Sequence, residues 1–323
     1  MHTTIAITGA AGFLGRHLVR SLSRSADVHI RQLVHQRTPD GVFDQDRVTL
    51  FRGDLLDRRS LEGFVRPGDT VVNLAFLSGA SQADNLKAAT NLAEACIGAR
   101  AARLIHCSSA VVVGRNSATV VDESTPCEAG NPYEAAKLAV EETLRNRCRS
   151  GVEIAVLRPT VIFGPGGRNL IKLANDVCRG NRLLNYIKRS VHGTRRMNAV
   201  GVDNVIAAIE FLIRANESID QQIFIVSDDE YPENNYGDIL RHLRKHLAHR
   251  ERALPPLPVP DGVLAGLLRL AGRSNRDPRR IYDSSKLSRA GFMKPVSFAQ
   301  SLIAFTDWYQ CCYLSQEKAN LNP

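Results

Sequence analysis

At 323 residues, 44% hydrophobic and 23% charged, the chain has the length and balance of a soluble globular protein with one large or two small domains. No apolar run approaches membrane-spanning length, and seven cysteines without a CxxC pair argue against metal binding and for reduced thiols in the cytoplasm. Forty-two basic against thirty-three acidic side chains leave a net charge of +9, which calls for an anionic partner: nucleic acid, anionic lipid or a phosphorylated metabolite.

The opening MHTTIAITG lacks a charged leader and cleavage site, so no signal peptide is expected. Ile5 to Gly15, IAITGAAGFLG, runs from a short apolar strand through Gly9, Gly12 and Gly15 into a helix whose Leu18, Val19 and Leu22 recur at helical intervals. Strand, tight turn and helix start make a dinucleotide cradle. Glycine avoids a side-chain clash in the turn, lets the backbone approach a pyrophosphate and lets the helix pack on the strand. The helix N-terminus then faces the phosphates. The spacing GxxGxxG is a variant of the shorter GxGxxG fingerprint.

VHIRQLVH, Val28 to His35, predicts a second strand. Enzymes that use the unphosphorylated cofactor place an acid at its end to hold the ribose hydroxyls; here His35 and then Arg37 stand there, and Arg16 follows the last glycine. A missing acid and two guanidinium groups favour a 2′-phosphate, so NADP is expected over NAD. Val48 to Leu50 predicts a third strand, followed by Asp54 and Leu55 placed to meet an adenine ring, and Arg58 to Val65 a helix. Thr70 to Phe76 predicts a strand buried on both faces, Asn85 to Arg100 a helix and Ala102 to Ser109 the next strand. The alternation specifies an α/β fold, a parallel sheet with helices on both faces.

Ser108 and Ser109 end that last strand, where open parallel sheets place their ligands. In NPYEAAKLAVEETL, Tyr133 and Lys137 are four apart on one helix face. A second YxxxK, Tyr282 and Lys286, lacks both the serine-tipped strand before it and the long amphipathic helix after it. An unperturbed phenol is protonated at neutral pH, as the acid of a carbonyl reduction must be. An ammonium about 4 Å away at an effective dielectric of ~20 contributes about 4 kcal/mol, enough to lower the phenol pKa by up to ~3 units for the reverse direction before desolvation opposes it.

Val152 to Pro159 predicts a further strand leading into TVIFGPGG, which must leave regular structure. Beyond it helices are expected over Leu170 to Arg179, Val200 to Ile213, Tyr236 to His249 and Phe298 to Tyr309, with a strand at QIFIVSD. The basic run Arg241 to Arg252 carries leucines at helical spacing and no interleaved aromatics, so a small anionic ligand is preferred over nucleic acid.

TGAAGFLG, Asp54-Leu55, Asn73 to Ala75, the serine pair before AVVVG, Tyr133 with Lys137, and RPTVIFGPG, in this order, resemble the extended short-chain dehydrogenase/reductase family. YDSSKLSRAGF and the closing aromatic helix extend the likeness over the whole chain. The resemblance implies a Rossmann-type doubly wound parallel sheet with a smaller C-terminal α/β substrate domain: residues 1–165, parts of 200–228 and the C-terminal helix in the first, 166–200 and 229–295 in the second. It implies Ser109, Tyr133 and Lys137 as catalytic residues, with Ser108 a weaker alternative to Ser109 that could instead meet substrate. For the cofactor it implies Gly9, Gly12, Phe13, Leu14, Gly15, Arg16, His35, Arg37, Asp54, Leu55, Leu74, Ala75, Tyr133, Lys137, Pro159 and Val161. For a nucleotide-diphospho-sugar it implies Arg168, Asn169, Arg196 and either Arg273 or Arg279. A homodimer built from two helices per subunit, without nucleic-acid or membrane partner, is also expected.

Members that dehydrate carry an Asp-Glu pair after the catalytic Ser/Thr, whereas this chain has Ala110 and Val111; Val113 replaces a tyrosine common in the family. The resulting expectation is an NADPH-dependent reductase of a 4-keto sugar, with a 4-epimerase and a non-catalytic NADP-binding module as alternatives.

Overall fold

The computed structural model describes residues 3–36, 46–149, 151–248, 257, 262–264, 266 and 277–314. Contacts divide the chain into two units: Met1–Val112, Ala129–Pro159 and Ile206–Ile225 form the first, and Val113–Glu128, Thr160–Val205 and Val226–Pro323 the second.

The first unit is built on a seven-stranded sheet: β1 (Thr3–Thr8), β2 (Val28–Val34), β3 (Val48–Arg52), β4 (Thr70–Asn73), β5 (Arg103–Cys107), β7 (Glu153–Pro159) and β10 (Gln222–Val226), in spatial order β10-β7-β5-β4-β1-β2-β3. The pairings from β7 to β3 are parallel, with Ile5 opposite Ile30 on one side and Thr70 on the other. The strand order reverses between β1 and β4, the place where a doubly wound sheet opens a crevice at its carboxyl edge. Ile5, Ala6 and Ile7 are fully buried, as a central strand covered on both faces requires. Helix α2 (Gln82–Ala99) starts at a Ser81–Asp84 capping box and α3 (Pro132–Cys148) at Asn131, which accepts from Glu134 N–H with Pro132 in the first turn. Their inner faces, Ala88, Leu92, Cys96, Val140 and Leu144, share a core with Phe64, Val71 and Leu104.

Two local expectations are corrected. Arg58–Leu61 forms only a 3₁₀ turn, capped by Asp57 and followed by Gly63 at φ +79°, a left-handed conformation that ends any helix before Val65. The helix expected over Val200 to Ile213, α6 (Val202–Ile213), begins at Val202, because Ala199–Gly201 is a strand, β9, paired with β8 (Val161–Phe163).

The second unit contains that pair and a two-residue parallel pairing of β6 (Val120–Val121) with β11 (Ile281–Tyr282). Its core joins Phe163, α4 (Ile171–Arg179), α7 (Tyr236–Ala248) and the closing helix Phe298–Trp308 through Leu173, Leu240, Leu302 and Phe305. The closing helix therefore packs here and not, as expected, with the nucleotide-binding half. His249, the expected end of α7, lies outside the described residues. The sequence reading had no helix over Arg182–His192, which is α5.

Candidate active site

The glycine turn has the geometry its spacing predicts. Gly9 sits at φ +71°, and a Cβ there would lie 2.8 Å from the Ala75 nitrogen, so the turn closes directly onto the chain leaving β4. A Cβ on Gly15 would stand 2.3 Å from the Gly9 carbonyl oxygen, which fixes how closely α1 (Phe13–Leu22) approaches the loop. Gly12 is the N-cap of α1 and offers no side-chain hydrogen bond, and the first turn carries no acid. The N–H groups of Phe13 and Leu14 thus open the positive end of a helix dipole, a fit for a pyrophosphate. Arg16 is exposed beside them.

His35 follows β2, and its Nε2 lies 3.6 Å from Asp54 Oδ2; no carboxylate stands at the end of β2 itself. Asp54 accepts from Leu56 N–H, while Leu55 is buried and its carbonyl accepts from Asn91. Leu74 and Ala75 are half-buried and tied back to β1: Leu74 N–H donates to the Thr8 carbonyl, and Ala75 N–H to Thr8 Oγ1 at 3.4 Å as well as to Asn73 Oδ1 of β4 at 3.2 Å. Pro159 is buried at the end of β7. Arg37 and Arg273 lie outside the described residues.

The α3 side chains form the chemical centre of the first unit. Tyr133 and Lys137 are brought together on Phe76: the Tyr133 ring meets Phe76 edge to face at 5.4 Å, and Lys137 Nζ lies 4.4 Å from the Phe76 centroid. Lys137 is 7% exposed and Tyr133 50% exposed, so the ammonium sits inside and the phenol at the rim. Burial raises the Tyr133 pKa, with Cys107 adding to it; burial lowers that of Lys137 against the opposing pull of Cys107 and Glu141. The phenol is consequently a proton donor at neutral pH. One turn further along the same face, buried Glu141 forms a two-pronged ion pair with Arg158 of β7 at 2.6 and 3.1 Å. This pair locks α3 onto the sheet and so sets the depth of Lys137. Phe76, Glu141 and Arg158 were not singled out from sequence; a bulky aromatic right after the Asn73–Ala75 stretch was the available signal for the first.

Beneath them runs a buried polar chain. Thr8 Oγ1 donates to Asn73 Oδ1 at 2.6 Å, and Asn73 Nδ2 donates to His106 Nδ1 at 3.1 Å. His106 therefore carries its proton on Nε2, and burial, assisted by Lys137, pushes its pKa down to about 3. Cys107, next on β5, is within electrostatic reach of both Tyr133 and Lys137, and its thiol is pushed up to about 11 by burial. Two residues on, Ser109 is half-buried with its Oγ accepting weakly from Val111 N–H, whereas the Ser108 hydroxyl is buried without a partner. Ala110 is buried, and neither it nor Val111 brings a carboxylate.

In the second unit, Arg196 donates to the Tyr231 carbonyl at 2.8 Å and its own N–H to the Pro278 carbonyl. Arg168 and Arg279 are exposed, Val161 is 37% exposed, and Asn169 Nδ2 donates to the Ile162 carbonyl. Arg280, adjacent to Arg279, is buried and clamps the Gly114, Asn116 and Ala118 carbonyls, so it secures a loop. No cluster of potential metal ligands occurs among the described residues, and none of the seven cysteines forms a disulfide. No helix among the described residues is long and apolar enough to cross a membrane.

A parallel sheet with a switch point at β1 and β4, a glycine turn fit for pyrophosphate, and a Tyr-x-x-x-Lys face on α3 of the same unit define a short-chain dehydrogenase/reductase of the extended type. The chain belongs to the NAD dependent epimerase/dehydratase family, whose model matches residues 5–227, and it is an enzyme of that family. Among its relatives, the N-acetyl-alpha-D-glucosaminyl-diphospho-ditrans,octacis-undecaprenol 4-epimerase of Escherichia coli O157:H7 is 25% identical over 331 residues, 94% of each chain. Sterol demethylase protein B of Methylococcus capsulatus is 26% identical over 309 residues, 89% of each chain. Among solved structures, UDP-glucuronic acid 4-epimerase from Bacillus cereus in complex with UDP-glucuronic acid and NAD shares the fold at a TM-score of 0.71 and 21% identity, over 95% of this chain and 99% of that one.

Proposed function

We propose that the protein is a nucleotide-diphospho-sugar 4-epimerase. The observation that carries this reading is the Tyr133–Phe76–Lys137 cluster at the carboxyl edge of the sheet, with Ser109 at the tip of β5 and no carboxylate at Ala110 and Val111. Support also comes from two of the relatives named above, both called 4-epimerases, which weighs for epimerisation over the simple reduction of a keto sugar anticipated from sequence.

A nicotinamide dinucleotide held through its pyrophosphate on the Gly9–Gly15 turn would supply the means of taking a hydride from C4 and returning it. Once it has released its own proton to solvent, Tyr133 accepts the proton of the C4 hydroxyl and later gives it back, while the Ser109 hydroxyl donates to that oxygen as it becomes a carbonyl. The Lys137 ammonium stabilises the phenolate while Tyr133 is without its proton. Inversion follows when the keto sugar presents its other face before the proton returns. Arg168, Arg196 and Arg279 are the candidate partners of the diphosphate, Arg196 after exchanging its carbonyl contacts for phosphate oxygens.

A second reading, reduction with NADPH, is favoured by one feature. The end of β2 has His35 and Gln36 where an acid would select the unphosphorylated ribose, and exposed Arg16 stands at the α1 start. One experiment separates the readings: protein is denatured, the released dinucleotide is measured, and UDP-sugars are then supplied to native protein without added cofactor. Stoichiometric dinucleotide and C4 inversion are expected. Turnover that needs added NADPH and stops at one equivalent of reduced sugar per cofactor would replace the epimerase reading with the reductase one.

A further inference from the structure

Arg196 and Arg279, both offered above to the diphosphate, sit on neighbouring stretches of backbone in the second unit. The Arg196 N–H donates to the Pro278 carbonyl, and two residues further along the Asn198 side chain donates to the Arg280 carbonyl at 2.7 Å. These two rungs bracket Arg279. Arg280 is buried, with its guanidinium on the Gly114, Asn116 and Ala118 carbonyls, whereas Arg279 beside it is exposed. The segment thus turns one arginine inward as an anchor and leaves its neighbour at the surface.

Asn198 is the unusual member of this frame. It is 7% exposed, it holds φ +48° in the left-handed region without being a glycine, and its carbonyl accepts from Val161 N–H of β8. Such a backbone persists only where its surroundings demand it. Here the demand comes from the side chain: Asn198 Nδ2 donates to the Arg280 carbonyl and to Asp229 Oδ2 at 2.8 Å, so both amide hydrogens are used. Glycine would adopt the conformation more easily and would lose both bonds.

Asp229 closes the frame from behind. Its carboxylate, 3% exposed, accepts from Asn198, from Tyr282 N–H at 2.8 Å and from Asn234 Nδ2 at 3.0 Å, which joins Asn198 to β11 just beyond Arg279 and Arg280. Burial pushes its pKa up to about 6, opposed by the hydrogen bonds from Tyr282 and Asn198 and by the charge of Arg196. At neutral pH it is therefore mainly the ionised, acceptor-only group that three donors require.

We propose that Asn198, backed by Asp229, is a positioning residue that fixes the spacing of Arg196 and Arg279 so that both guanidinium groups meet one diphosphate. This rests on the reading of the two arginines as diphosphate partners and adds what holds them. A pair set before binding spares the ligand the ordering of two separate segments, and that is where its contribution to affinity lies. Asn198 touches neither reacting atom nor cofactor in this role, so it acts on substrate affinity and not on the chemical step.

The test is calorimetric titration of UDP into protein saturated with NAD, which keeps the nucleotide turn occupied. Asn198→Gly removes the two side-chain bonds and relaxes the left-handed backbone; Asn198→Asp keeps the shape and sets an acceptor against two acceptors. Each should raise the Kd for UDP at least about fivefold with NAD affinity unchanged, and the KM for a UDP-sugar should rise while kcat stays within about twofold. Arg279→Gln should weaken UDP by a similar factor. Asn198→Gly added to it should cost less than about twofold more, because its effect passes through Arg279. Unaltered UDP affinity in the Asn198 variants, a matching loss of NAD affinity, or fully additive losses in the double variant overturns the proposal. If the parent chain does not bind UDP, or if neither Arg196→Gln nor Arg279→Gln weakens it, the diphosphate reading falls and this inference with it. If both arginine variants weaken UDP and the Asn198 variants do not, the inference alone falls.

Discussion

The Nζ of Lys137 lies over the ring of Phe76, 4.4 Å from its centroid, and the same ring meets Tyr133 edge to face. One aromatic side chain thereby holds both partners of the Tyr-x-x-x-Lys pair. The face of the ring stabilises an ammonium that burial opposes, so its removal lowers the Lys137 pKa further.

Phe76→Leu should therefore move the basic limb of the pH–activity profile down by about one unit, since a buried cation–π contact of about 2 kcal/mol exceeds the 1.36 kcal/mol of one pKa unit. Phe76→Tyr, which keeps the ring face, should leave it in place. Steady-state rates across the alkaline range check both variants.

The Glu141–Arg158 pair predicts a stability effect with a sign that depends on how it is broken. Glu141→Gln leaves a buried guanidinium without its counter-charge and should cost about 3–5 kcal/mol in urea unfolding; the double change Glu141→Gln, Arg158→Met should recover much of that loss.

The backbone of the nucleotide turn leaves no room for a methyl group. Gly15→Ala drives a Cβ against the Gly9 carbonyl, a backbone atom that cannot swing aside, so the loop must open. Dinucleotide affinity, read by calorimetry, should fall at least about tenfold, the equivalent of 1.4 kcal/mol of distortion.

His106 sets an acid dependence. Its folded pKa of about 3 lies below the ordinary 6.5, so the unfolded chain binds the proton first and stability falls as pH drops from about 6.5 towards about 3. His106→Gln, which can still accept from Asn73, should flatten that part of the stability–pH curve measured by denaturant midpoints.

The first unit was legible because its order is local. Apolar runs such as Thr70–Asn73 and the helical stripe Leu18, Val19, Leu22 carry their period in a few consecutive residues, and the four-residue step from Tyr133 to Lys137 puts both against Phe76. Much of the second unit was not. Val120–Val121 and Ile281–Tyr282 are strands only because they pair with each other across 160 residues, too short for any period to register. Helix α5 does carry Leu183, Leu184 and Ile187 at helical spacing, a signal the sequence offers over only about three turns. Phe76, Glu141 and Arg158 gain their roles from contacts between elements, which no single stretch of sequence encodes.

The central claim is that Tyr133 handles the proton of the C4 hydroxyl while the rest of the site binds. Tyr133→Phe removes one oxygen from a half-exposed ring and keeps the Phe76 contact. With a UDP-sugar substrate, C4 inversion followed by proton NMR should slow by about 10²–10⁴-fold while dinucleotide affinity stays within about threefold of the parent. Inversion at the parent rate in Tyr133→Phe would contradict the account.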